Sequence, residues 1–174
     1  MVLADGDLPG YHVQSAGAEA LADQLPPRDA PHAALVTRLV TTNWVASDHS
    51  TLVSAAKGAP VVFSDANLFK NAAAMRQIWM LEGARVPGIE THDLAAPPGA
   101  PAGTRFAYVT TGTRASYQLS WPEGPAFGIV VVLVSPHAHL SPRAQARIAA
   151  TLGQAAKAES IRIAGAANAS SATV

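Results

Sequence analysis

The sharpest chemical pattern in the chain is His137-Ala138-His139. On extended backbone, residues i and i+2 point to the same side. Two imidazoles so placed could share a zinc ion, with Glu90, His92 or Asp93 as a further ligand where that strand ends nearby. A zinc site needs three or four ligands held by outer partners, and two histidines between a strand and a helix equally describe solvated loop residues. Asp48-His49-Ser50 has the composition of a catalytic triad. Adjacent residues cannot place the base between a nucleophile and an orienting acid, so the tripeptide reads as a hairpin turn. Glu90 and Asp93 could serve as acid and base, although two isolated carboxylates equally cap a surface strand. No G-x-S-x-G, phosphate-loop or dinucleotide-binding glycine motif occurs, and no cofactor is expected.

The aromatic residues give a second kind of site. Trp44, Trp79 and Trp121 fall on separate elements. Aromatics converging from separate elements can line an apolar pocket, and they can equally be core residues. The candidate ligand-contacting residues are Trp44, Trp121 and Phe69. The ligand would enter between the sheet and the 69–79 helix, or near the 95–103 loop.

Composition narrows the classes. With 12 Lys+Arg, 12 Asp+Glu and only 14% charged residues, the chain has no basic patch for nucleic acid or an anionic membrane. It has no Cys, which excludes disulfides and thiolate chemistry. Its longest apolar run, 129–134, is far short of the ~20 residues of a membrane helix. A length of 174 residues suits one domain.

The elements that must position these residues are clearest in the last third. Runs at 105–110, 114–121 and 126–135 read as consecutive strands, separated by turn signals at Thr111-Gly112 and 122–125. Ala115, Tyr117, Leu119 and Trp121 alternate with polar residues, while 129–134 is apolar on both faces, as a covered central strand should be. Ser141-Pro142 opens a helix to about Lys157, with Ile148, Leu152 and Ala155 toward the sheet. Upstream, 11–14 reads as a short extended piece, and 18–25 as at most one helical turn. A helix from Asp29/Pro31 to Val40 would bury Leu35, Val36 and Leu39. Runs at 42–47 and 51–57 read as a hairpin. Ser64-Asp65 reads as the cap of a helix with Leu68, Ala72, Met75 and Trp79 as its stripe, closed by Gly83. A strand at 88–94 and a Pro/Gly/Ala loop at 95–103 follow. The expectation is one α+β domain over 7–163, an antiparallel sheet of about six strands packed by two or three helices. The Ala/Ser-rich 164–174 tail is expected to be disordered.

Several pieces resemble a family. Asp7-Leu8-Pro9-Gly10-Tyr11, Phe63-Ser64-Asp65-Ala66, Val86-Pro87-Gly88-Ile89 and the last strand–helix block are similar to uncharacterised exported domains and lipoproteins of actinobacteria. That resemblance covers most of residues 7–160 and implies a Mog1/PsbP-like α+β sandwich with a binding or scaffolding role in the cell envelope. It implies no catalytic residue. Two departures stand beside it: Met1-Val2-Leu3-Ala4-Asp5 has no signal-peptide pattern, and no Cys is available for acylation.

The expected function is a non-enzymatic binding or interaction module of the envelope, outside the cytoplasm, whose partner is a small apolar ligand or an envelope protein. The competing readings are a small metal-dependent hydrolase using His137, His139 and Glu90, and a subunit that buries its charge-poor surface in a homodimer. Metal analysis of the purified protein separates the first two. We expect no stoichiometric zinc, and bound zinc that is lost on His139→Ala would overturn that expectation.

Overall fold

A computed structural model describes the chain except Asp29, Pro31, residues 83–88, 136–139 and 172–174. The expected caps at Asp29, Pro31 and Gly83, and His137 and His139, therefore lie outside the described residues. The fold is α+β. In chain order the elements are β1 (Tyr11–Ala18), a 3-10 turn (Leu21–Gln24), α1 (Ala33–Asn43), β2 (Trp44–Ser54), β3 (Val62–Phe69) and α2 (Ala72–Glu82). They continue with β4 (Ile89–Leu94), β5 (Arg105–Thr111), β6 (Arg114–Glu123), β7 (Ala126–Val134) and α3 (Pro142–Ser171). The strands form one sheet of seven, in the order β1-β2-β3-β7-β6-β5-β4, and every pair is antiparallel.

The central strand is β7, as its two-sided apolar pattern requires. Val130 and Val132 point to one face and enter a core with Leu119, Trp121, Ile148, Leu152 and Ala155. Phe127 and Ile129 point to the other and meet Val36 and Val40 of α1 and Met75 and Ile78 of α2. One helix therefore covers one face and a helix pair the other. At the crossing of β6 and β7, Gly128 stands opposite Trp121. A Cβ on Gly128 would lie 2.3 Å from the indole, so only glycine admits the Trp121 ring there.

Four local expectations are corrected. Residues 44–54 form a single strand, so Asp48-His49-Ser50 is no turn. Asp48 and His49 are laddered to Ala18 and Gly17 on one side and to Ala66 and Asp65 on the other, and this double pairing overrides their local turn preference. Ser64 and Asp65 lie inside β3 for the same reason, since β3 pairs β2 and β7. The helix starts later, capped by Asn71, whose Oδ1 accepts from Ala74 N at 2.8 Å.

Third, Trp79 is only partly buried. Its ring lies under the Arg105 guanidinium, 3.8 Å from the centroid, and Arg105 Nη1 donates to its carbonyl. Met75 and Ile78 take the fully buried positions of α2. Fourth, the helix expected to end near Lys157 continues as helix through Ser171, across residues assigned to a disordered tail. Leu152, Ala156, Glu159, Ile163 and Ala167 recur at helical spacing and are all buried, and alanine between them has the best intrinsic helix propensity.

Leu152 is fully buried between α3 and the sheet. Leu152→Ala should cost about 2–5 kcal/mol in denaturant unfolding. A variant of wild-type stability would show that this helix does not carry the core.

Candidate functional site

Sheet width creates a cavity. Six inter-strand gaps of ~4.8 Å make the sheet roughly 29 Å wide, whereas one helix with its side chains spans ~10 Å. On its face α3 rests on β6 and β7 and leaves two flanks. Residues 1–10 fill the flank over β1–β3. Leu3 and Leu8 are buried there, Leu3 N donates to Ser64 Oγ at 3.1 Å, and Arg162 of α3 grips Asp7 at 2.5 and 3.0 Å. The flank over β4 and β5 is covered only in part, and a groove of about 600 Å³ remains.

The sheet wall of this groove is a ladder of rings. Antiparallel register places His92 opposite Tyr108 and Tyr108 opposite Tyr117. Their centroids step at 6.3 and 5.0 Å, with Phe106 6.2 Å from Tyr117. The helix wall presents Pro142, Gln145, Ala146 and Ala149, and Leu94, Ala95 and Leu140 complete the lining. Small side chains on α3 keep the slot open. Burial, aided by the neighbouring Tyr108 phenol, pushes the Tyr117 phenol above its usual range, so it stays an uncharged donor. The described lining contains no Asp, Glu, Lys, Arg, Ser or Thr.

A smaller cleft of about 280 Å³ lies on the opposite face, lined by Glu19, Asp23, Asp65, Asn67, Phe127 and Ile129 among others. Burial pushes the Asp65 carboxyl up to about 6, the Glu19 charge adds to this, and His49 opposes it. His49 Nδ1 lies 3.6 Å from Glu19 Oε1, outside hydrogen-bond reach. Asn67 accepts from Ser47 Oγ, which also receives Trp44 Nε1 at 3.2 Å. Among the described residues no group of three His, Asp or Glu is placed to hold a metal ion.

The residues singled out in the sequence do not meet in one place. Asp48 and His49 lie on β2 and point to opposite faces, and Asp48 Oδ2 accepts from Met1 N at 3.0 Å. Glu90 and His92 lie on β4, five inter-strand gaps away, or roughly 24 Å. Glu90 and Asp93 are exposed, and only His92 of this set lines the groove. Of the expected ligand contacts, Trp121 is fully buried in the α3 core. Phe69 stacks on Phe127 at 5.8 Å, and Trp44 packs beside it. None of the three lines either cavity. Sequence reasoning did not single out Tyr108, Phe106 and Gln145; the turn lies at 112–113, one residue past the Thr111-Gly112 signal, and that shift pairs Tyr108 with Tyr117 rather than with Ala115.

Comparison with known proteins adds no assignment: no family model matches the chain, and no curated protein does.

One ionisable group lies under α3 rather than in a cavity. Glu159 is fully buried, accepts from Ser64 Oγ through one oxygen, and has no partner for Oε1. Burial pushes its carboxyl well above the ordinary range, and the Asp65 charge on the neighbouring strand pushes the same way. Glu159 and Asp65 thus both hold protons more tightly folded than unfolded, so the folded state binds more protons. Their contribution is complete below the unfolded values and is lost as pH rises. Asp65 loses its share between 3.8 and about 6, and Glu159 from 4.5 through its higher folded value. Urea unfolding from about pH 4 to about pH 9 should show stability falling with pH. Glu159→Gln should make that fall shallower, and a variant with the unchanged slope would show that Glu159 does not titrate in this window.

Proposed function

We propose that this domain is a non-enzymatic binding module, and that its ligand is a small uncharged molecule with an apolar, ring-bearing body. The observation that carries this reading is the His92–Tyr108–Tyr117 ladder facing Ala146 and Ala149 across a groove of about 600 Å³. That volume lies in the range of small-molecule sites, which are mostly apolar with few polar groups. Ring faces on one wall and small aliphatic groups on the other suit a flat or slender body. The imidazole, the two phenols and the Gln145 carboxamide supply hydrogen bonds at its edges.

The same lining disfavours a charged ligand, which would lose hydration with no formal charge opposite it. It also gives little support to catalysis, because a Ser or Thr nucleophile beside a base, or a pair of carboxylates, has no counterpart among the described lining residues. We set the role in the cell envelope on the strength of the resemblance carried by Asp7-Leu8-Pro9-Gly10-Tyr11 and the final strand–helix block. No described helix is long and apolar enough to cross a membrane.

Titration calorimetry with 4-butylphenol as probe tests the groove. The wild-type chain should bind it. Ala146→Trp, at an exposed position of the helix wall, should weaken binding at least tenfold while leaving the unfolding midpoint unchanged. Equal affinity in the two proteins would exclude the groove as the site.

A further inference from the structure

We propose that Pro97, held against Gly153 of α3 one helical step beyond the groove's last lining residue on that helix, Ala149, is the stop that sets the length of ligand the groove accepts. This inference rests on the binding reading of the groove.

Along α3 the lining residues Pro142, Gln145, Ala146 and Ala149 follow helical spacing, and the next position on that face is Gly153. Gly153 lines no open space. It is buried, and a Cβ there would lie 3.3 Å from Pro97 Cγ and 3.4 Å from Pro97 Cβ. Pro97 is itself buried, whereas Ala95, Ala96 and Pro98 around it are exposed. The ring thus occupies the space that a side chain at position 153 would fill, directly beyond Ala149.

The connection that carries Pro97 is held in shape. It folds into two successive turns, in which Ala100 N donates to Pro97 O at 3.2 Å and Thr104 Oγ1 to Pro101 O at 2.6 Å. Ala100 packs on the α3 core. At the far end Gly103, with φ +74°, lies against Pro122, whose Cγ would be 3.2 Å from a Cβ. A segment fixed on α3 at one end and on β6 at the other is a wall of set position. A ligand running along the Ala146–Ala149 side meets the Pro97 ring and stops.

A homologous series measures that distance. The probes are 4-alkylphenols from ethyl to nonyl, titrated calorimetrically into the wild-type chain, Pro97→Gly and the milder Pro97→Ala. In the wild type, affinity should rise roughly fourfold per added methylene up to a cut-off and then level or fall. Both variants should bind the shortest homologues as the wild type does and carry the rise at least two methylenes further. An unmoved cut-off overturns the proposal, as does a uniform loss of affinity across the series, which is what a purely structural role for Pro97 would produce. If the wild type binds no homologue, the groove reading fails and the stop fails with it. If binding is lost in Ala146→Trp but the cut-off stays put in both Pro97 variants, the groove reading stands and only the stop is wrong.

Discussion

The contact of Leu152, Ala155 and Ala156 with Leu119, Val130 and Val132 is the interaction on which the rest of the molecule depends. It sets α3 across the middle of the sheet, over β6 and β7, and so decides what each flank must do. Buried apolar surface is the main source of stability, and a sheet this wide exposes more than one helix can take up. Residues 1–10 answer this on one side with Leu3, Leu8 and the Asp7–Arg162 ion pair. On the other side the 95–104 connection answers it only in part. The groove is what remains uncovered, and its aromatic wall is the sheet surface that α3 does not reach.

The two faces of the sheet differ in chemistry as well as in cover. The α1/α2 face carries the Ser47–Asn67 pair and the Glu19–Asp65 cleft, where carboxylates share partial burial. The α3 face carries rings and aliphatics, with the polar groups of Glu159 and Ser64 sunk beneath the helix. A carboxyl at Glu159 is costly to ionise, because burial disfavours its charge and no partner meets Oε1. It ties the seating of α3 to protonation, while the groove has no carboxylate among its described lining residues.

What the sequence by itself determined is concentrated where contacts are local. The alternation at Ala115, Tyr117, Leu119 and Trp121 reports its face correctly, while the register is set by turns at 112–113 and 124–125 that the local signals at Thr111-Gly112 and 122–125 only approximate. The two-sided apolar run of β7 announced a central strand, and Ile148, Leu152 and Ala155 announced the helix face that covers it. The limits of composition also hold at this level, since the absence of Cys and of clustered cations follows from the residues alone.

Only the tertiary structure decided the rest, because there the partners are distant in sequence. Asp48-His49-Ser50 and Ser64-Asp65 have turn and cap preferences, and ladders to strands far along the chain overrule them. The helix from Ala164 to Ser171 persists because Ile163 and Ala167 find a core that local composition does not reveal. His92 joins Tyr108 and Tyr117 only once β4 has paired with β5 across the 95–104 connection, whose length leaves the register open. A cavity is harder still to read from residues. Its existence depends on the mismatch between the width of a sheet and the width of one helix, and no residue type or spacing encodes that difference.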